Sequence, residues 1–370
     1  MEERKEVLQE QAAEQKARRR KLAGFGVRAA CFAVITVLLL SYAGYVFTSK
    51  SDYGICSMMT YYRQEPDTVD VLVVGTSMVY AGINTNILWK EYGIAAYNLC
   101  SVEEPFWIAY HTMEEALKTQ HPKVILLDAK PATYTTSYQK RGRVILNTFG
   151  IRDLPERIRA TLASVENPRD AAGYILKLPQ VHSAYKTLTW NDFAFPPDNE
   201  GRGPTWKGFN EADKVDGHKR VDLSRFVKGK LKINEREEEY ARKIFEMAKE
   251  KGIPILLIGM PSPNYYLDYL YYNTLWSLAD EYGVPYINYN RTEYNIGLDY
   301  EKDFADWNHL NVNGSVLFTR RLGKDLKETF DFPDRRGETA WNSWEQCAET
   351  WKEQYSGFIS SDPEANPLGW

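Results

Sequence analysis

Cysteine and histidine are scarce in this chain, four and five respectively among 370 residues. No Cys-x-x-Cys pair or Cys/His cluster occurs, so the ligand spacings of structural zinc sites are absent and no metal is expected. Cys31 falls inside an apolar run. That leaves Cys56, Cys100 and Cys347, an odd set able to form at most one disulfide, and free buried thiols are the simpler expectation. A surplus of positive charge is also missing. The net charge is -4, and residues 1–28 hold eight Lys/Arg against five Asp/Glu, which is 8 − 5 = +3 and leaves −4 − 3 = −7 on the remainder. A mainly acidic chain lacks the basic footprint that nucleic acid requires. Internal repeats and long low-complexity tracts are absent as well.

The one long hydrophobic run is residues 29–48, uncharged throughout and about the length that crosses a bilayer as a helix. Arg18, Arg19, Arg20, Lys21 and Arg28 precede it; Lys50 and Asp52 follow. This bias places residues 1–28 in the cytoplasm and everything after residue 48 outside the cell. Tyr42, Tyr45 and Phe47 stand where an interfacial aromatic belt would lie. Two other readings compete with a single-pass anchor. Ser41-Tyr42-Ala43 has the small-x-small form of a signal-peptide cleavage site, although 28 preceding residues are long for a signal peptide. A buried helix of a soluble protein has a similar composition.

A hydrophobic content of 44% and an aromatic content of 14% are ample for a packed core. Residues 49–66 read as a juxtamembrane connector. From residue 67 to 330, strand and helix patterns alternate. Strands are expected at Val69–Val74, Ala95–Leu99, Val124–Leu127, Pro254–Ile258 and Pro285–Asn288. Helices are expected at Asn84–Tyr92, Trp107–Gln120, Asn234–Lys251, Tyr265–Tyr282 and Val312–Thr329, after a charged helix within residues 1–22. This alternation predicts an α/β fold: a flavodoxin-like three-layer α/β/α sandwich on a five-stranded parallel sheet. Residues 130–233 interrupt the rhythm as a helical insertion, with patterns at Asp153–Val165, Pro168–Leu176 and Val181–Asn191 and a Gly/Pro/Asp-rich loop at 195–218. The insertion reads equally as a lid over a site and as a cap over core. Residues 331–370 form an aromatic tail in which Trp341, Trp344, Trp351 and Tyr355 fall at near-helical spacing. That stripe is expected to pack back on the domain, with a partner or membrane surface as the alternative.

Two short stretches carry chemistry. Val71-Leu72-Val73-Val74-Gly75-Thr76-Ser77 reads as a buried strand ending in a tight turn that presents a serine at the carboxyl edge of the sheet, where ligands bind in such folds. Gly75 permits the turn, small Thr76 leaves room, and the Ser77 amide near a helix start is a candidate oxyanion donor. Alone, the stretch is equally a helix cap. The second stretch, Asp306-Trp307-Asn308-His309-Leu310, sets an aspartate three residues before a histidine on one loop. Ser77, His309 and Asp306 together supply nucleophile, general base and orienting carboxylate, a set that needs no cofactor. Among other polar residues, Asp128 reads as structural and Lys130 as a contact for an anionic substrate or a carboxylate. His111 and His121 read as surface residues, and His182 and Trp190 as possible cleft residues.

With these residues in hand, the chain resembles the SGNH/GDSL hydrolase superfamily. Gly75-Thr76-Ser77 matches its first block, commonly Gly-Asp-Ser, and Asp306-x-x-His309 matches its last, followed here by Leu310, Asn311 and Gly314. Asn98-Leu99-Cys100-Ser101 on the second strand adds to the likeness, which covers about residues 68–328 outside most of the insertion. With its N-terminal anchor the chain looks like the extracytoplasmic branch that includes the D-alanine transfer protein of teichoic-acid modification and the alginate O-acetylation proteins. The resemblance implies an acyl-Ser77 intermediate and transfer of an O-acyl group, acetyl foremost, between a cell-envelope polysaccharide and a donor. It also implies a membrane-bound O-acyltransferase partner. Two departures stand out. The second block has no glycine, and Gly-x-Asn-Asp is replaced after the third strand by Asp128-Ala129-Lys130-Pro131. Asn98, the Ser101 amide and Gly75 are then the candidates for oxyanion or substrate contacts, while Glu103 and Glu104 would bring unhelpful negative charge. A non-catalytic scaffold or binding subunit of a polysaccharide-modifying complex and a simple carbohydrate esterase are the alternatives.

Overall fold

The computed structural model describes residues 2–50, 53–194, 206–220, 228–263, 266–294 and 296–355. They fall into two compact units, Met1–Thr48 with Leu176–Ala194, and Ser49–Ile175 with Phe195–Trp370.

In chain order the helices and strands are α1 (Glu2–Phe47), α2 (Ile55–Tyr61), β1 (Val71–Gly75), α3 (Ser77–Gly82), α4 (Thr85–Tyr92), β2 (Ala96–Cys100), α5 (Phe106–Ala116) and β3 (Val124–Asp128). There follow α6 (Arg141–Thr148), α7 (Leu154–Ser164), α8 (Ala171–Ile175), α9 (Leu178–Val181), α10 (Glu235–Lys251), β4 (Ile255–Gly259), α11 (Tyr266–Glu281), β5 (Tyr286–Asn288), α12 (Val312–Thr329) and α13 (Asn342–Tyr355).

In the first unit, α1 is one unbroken helix of 46 residues rather than a cytoplasmic helix and a separate span. Its Ala13–Phe47 stretch is long and apolar enough to cross a membrane. Leu176–Ala194, expected as part of an insertion in the sheet domain, belongs to this unit instead. The helix expected at Val181–Asn191 is replaced by α9 and two 3₁₀ turns, His182–Lys186 and Trp190–Phe193.

In the second unit the five strands are all parallel, in the order β2-β1-β3-β4-β5. Every residue of β1 to β4 is buried, the signature of a parallel sheet covered on both faces. Successive side chains alternate between two apolar clusters. Leu72, Val74, Tyr97, Leu99, Ile125 and Leu127 join Phe106 and Ala109 of α5, Ile244 and Phe245 of α10 and Leu275 of α11. Val71, Val73, Ala96, Val124, Leu126 and Leu256 join Val79 of α3 and Phe318, Leu322 and Leu326 of α12. The period of two thus supplies both interfaces of the sheet. Asn84, Asn234 and Asn311 cap the starts of α4, α10 and α12, and Gly93 and Gly252 end α4 and α10 in the left-handed conformation that glycine adopts most readily.

Two segments differ from expectation. Residues 49–66 are not merely a connector, because α2 within them buries Met58 and Tyr61 in the first cluster. The aromatic tail packs back on the domain. Trp344 joins the first cluster, and Trp351 and Tyr355 close a third around Ile87, Trp206 and Phe209. The loop expected at 195–218 lies outside the described residues up to 205.

Candidate active site

The strand order reverses between β1 and β3, since β2 lies on one side of β1 and the later strands on the other. A crevice at the carboxyl ends of the strands forms at such a switch point. Ser77 follows β1 there, at the first position of α3. Thr76 caps that helix, its hydroxyl accepting from the Met78 amide at 3.3 Å. Gly75, at φ 154°, is pressed against the next strand; a Cβ there would strike the Asp128 side chain and lie 3.0 Å from Val79 Cγ2.

Asp128, at the end of β3, is completely buried and holds the turn. Its Oδ2 accepts from the Thr76 amide at 3.0 Å and the Thr76 hydroxyl at 2.5 Å, and its Oδ1 from the Lys130 amide at 2.9 Å. Burial raises the Asp128 carboxyl above its usual range, opposed by the Thr76 hydroxyl and by the Lys130 and Thr76 amides.

The loop before α12 brings His309 to the serine. Its imidazole Nε2 lies 2.8 Å from Ser77 Oγ. Its Nδ1 lies 2.8 Å from Asp306 Oδ2 and 2.9 Å from Oδ1. Protonated at Nδ1, the ring donates to Asp306 and accepts the Ser77 hydroxyl at Nε2. Asp306 Oδ1 also accepts from the amides of Asn308 at 2.7 Å and His309 at 2.9 Å, so the three-residue spacing closes a self-bonded turn. Burial raises the Asp306 carboxyl, but the Asn308 amide and the His309 ring and amide outweigh it and hold the group below its usual range. Below the turn, a bridge between Phe304 and Leu310 and the bond from Asn311 Nδ2 to the Lys302 carbonyl close the loop on itself, and the Asn311 cap joins it to α12.

Ser77 and His309 open onto a cavity of about 790 Å³, a volume suited to an organic ligand. Trp107, Tyr134, Lys130, Arg143 and Asn308 also line it. Lys130 is ion-paired to Asp268 at 2.6 Å. Arg143 binds Glu103 through Nε at 2.9 Å and Nη2 at 3.1 Å. Glu103 has φ 48°, an unfavourable backbone for a non-glycine residue, and its bidentate pair with Arg143 holds it there. Trp107, Tyr134, Arg143 and Asn308 were not singled out from sequence; the available signal was their place on segments that leave the carboxyl edge of the sheet or flank His309.

The other sequence candidates lie elsewhere. Asn98 is fully buried and its Nδ2 donates to the Ile83 carbonyl at 2.7 Å, so it does not face the cavity. The Ser101 amide donates to the Gly75 carbonyl at 3.0 Å, and its hydroxyl lines a separate void of about 20 Å³ with Glu104 and Asn147. Gly75 contributes room rather than a donor. Of the two acids expected to repel an oxyanion, Glu103 is neutralised by Arg143, which lowers its carboxyl. Glu104 is raised well above the ordinary value by burial, which favours its neutral form. His111 is buried rather than on the surface, with Nδ1 2.9 Å from Glu156 Oε2, whereas His121 is exposed. His182 and Trp190 belong to the first unit and are not among the residues that line this cavity. All four cysteines are free, and among the described residues no group of three His, Cys, Asp or Glu side chains is placed to hold a metal.

Comparison with protein-family models and with curated proteins finds no match for this chain.

Proposed function

We propose that this protein is a membrane-anchored extracytoplasmic serine acyl-transfer enzyme of the SGNH type, on a flavodoxin-like three-layer sandwich. The observation that carries the reading is the continuous hydrogen-bonded chain from Ser77 Oγ through His309 to Asp306. The sheet order and the two apolar clusters support the sandwich, and the cations preceding the apolar part of α1 support an outward-facing domain.

In this mechanism Ser77 Oγ attacks the carbonyl carbon of an O-acyl donor while its proton passes to His309 Nε2. Asp306 stabilises the imidazolium. The Ser77 amide, at a helix start where amides have no intrahelical acceptor, is the assigned donor for the oxyanion; the Lys130 ammonium is already paired with Asp268. Collapse expels the donor alkoxide, which takes the proton from His309, and leaves acyl-Ser77. A polysaccharide hydroxyl, or water, then gives its proton to His309 and attacks the acyl-enzyme, and Ser77 regains its hydrogen as the product leaves. Tyr134, half-buried on the cavity wall, offers a face on which a sugar ring can stack, while Trp107 is packed in the core behind it. A membrane-bound O-acyltransferase is the proposed source of the acyl group.

A second reading, a polysaccharide-binding subunit without turnover, gains support from the engagement of Asn98 and Ser101 away from the cavity. The assay that separates the two gives the detergent-solubilised full chain an aryl acetate with and without acetyl-free oligosaccharide. Acyl transfer predicts Ser77-dependent release of the aryl group and acetylated sugar in the product. Equal release from wild type and Ser77→Ala would favour the binding subunit.

A further inference from the structure

The first unit carries an unexplained surface. Leu176–Ala194 is fastened to α1 near the carboxyl end of that helix: the Tyr42 hydroxyl donates to the Phe193 carbonyl at 3.1 Å and the Tyr45 hydroxyl to the Ala194 carbonyl at 2.5 Å. Gly44 lets the two segments close up, for a Cβ there would sit 3.1 Å from the Leu176 carbonyl oxygen and 3.2 Å from Lys177 Cβ. The final turn is firmly built. Asp192 Oδ2 accepts from the Thr189 amide at 2.8 Å and the Thr189 hydroxyl at 2.9 Å, a capping box.

That ordered turn nevertheless presents apolar side chains outward. Trp190 is 90% exposed, Tyr185 61%, Leu176 50% and Phe193 43%. Trp190 and Phe193 stand together, with ring centroids 6.0 Å apart. Lys186 is exposed, its ammonium 5.7 Å from the Tyr185 ring centroid. Large apolar groups held outward in a cluster call for a covering surface.

The helix says which surface. Tyr45 lies 17 residues beyond Arg28, the last cation before the apolar run, or about 25 Å along the axis. A hydrocarbon core is about 30 Å thick. Tyr42 and Tyr45 therefore stand at the far boundary of the bilayer that α1 would cross, and they hold the segment at that level. We propose that Leu176–Ala194 is an interfacial membrane platform: Trp190, Phe193, Tyr185 and Leu176 enter the boundary between headgroups and acyl chains, and Lys186 reaches lipid phosphate. Tryptophan and tyrosine favour that zone because an apolar ring and a polar N–H or O–H are satisfied together, and lysine keeps its ammonium at the headgroups. The inference rests on reading α1 as a membrane span.

The test uses the full chain reconstituted in phosphatidylcholine vesicles containing lipid brominated near the headgroup end of its acyl chains. The difference in emission between wild type and Trp190→Phe isolates the Trp190 component; this substitution leaves the capping box intact. The expected result is at least twofold quenching of that component by brominated lipid and little by aqueous acrylamide. A component quenched by acrylamide but not by lipid would overturn the proposal and leave the patch to a protein partner. A component shielded from both would overturn it in favour of self-association. Loss of the chain from vesicles in alkaline carbonate would refute the span itself, a failure distinct from that of the platform.

Discussion

Asp128 accepts three hydrogen bonds in a place water does not reach. A buried carboxylate so placed is costly to desolvate and costly to leave partly matched. Asparagine offers one acceptor oxygen and turns two N–H donors toward groups that themselves donate. Asp128→Asn is therefore expected to destabilise the domain by about 1–3 kcal/mol and to slow labelling of Ser77 by a serine-directed probe at least tenfold, because Thr76 sets the position of the nucleophile. Labelling kinetics on folded protein, alongside chemical denaturation, check both parts. The residues of the hydrogen-bonded Ser77–His309–Asp306 chain, and Gly75 before it, were legible in the sequence because they sit in two short local patterns. Asp128 reads as structural from sequence, but that it holds the serine turn was not legible, because it acts across neighbouring strands, and pairing of strands far apart in sequence leaves no local periodicity. Asn98 and Ser101 misled for the same reason. A polar residue on a strand is compatible with facing a cavity or with satisfying a backbone carbonyl, and only packing decides.

At the scale of elements, α13 shows how far periodicity carries. Trp344, Trp351 and Tyr355 share one helix face, and that face is buried. Trp344 also donates through Nε1 to the Ala96 carbonyl at 3.4 Å and lies under the Lys207 ammonium, 3.8 Å from the ring centroid. Trp344→Ala is expected to cost about 3–5 kcal/mol, read as a lowered melting temperature, without changing the probe-labelling rate of the molecules that remain folded. The strands and long helices were similarly legible, with ends shifted by at most two residues except in α5, which stops at Ala116 rather than Gln120. The packing of α5 against α7 was not, which is why His111 reads as a surface residue from sequence. Burial lowers its pKa below 6.5, although Glu156 acts in the opposite direction. Folded protein thus binds this proton less readily than unfolded chain, so stability falls as pH drops below about 6.5. Glu156, raised by burial but brought net below its ordinary 4.5 by Arg159 and His111, loses its contribution further into acid. Melting temperatures measured from pH 7 to pH 5 should fall, and His111→Gln should flatten the decline.

For the whole molecule, one N-terminal helix able to cross a membrane and one parallel α/β domain follow from the run at residues 29–48 and the alternation after residue 67. The assignment of Leu176–Ala194 to the N-terminal unit had no sequence signal, since it depends on Tyr42, Gly44 and Tyr45 meeting a segment more than 130 residues away. The central proposal is that Ser77 is an activated nucleophile. It is tested most directly by the intact mass of the detergent-solubilised protein after treatment with a fluorophosphonate, beside Ser77→Ala and His309→Ala. The account predicts a single adduct in the wild type, none in Ser77→Ala, and labelling of His309→Ala slowed at least a hundredfold, as loss of a general base implies. A folded wild type that takes up no adduct, or an adduct that survives in Ser77→Ala, would contradict it.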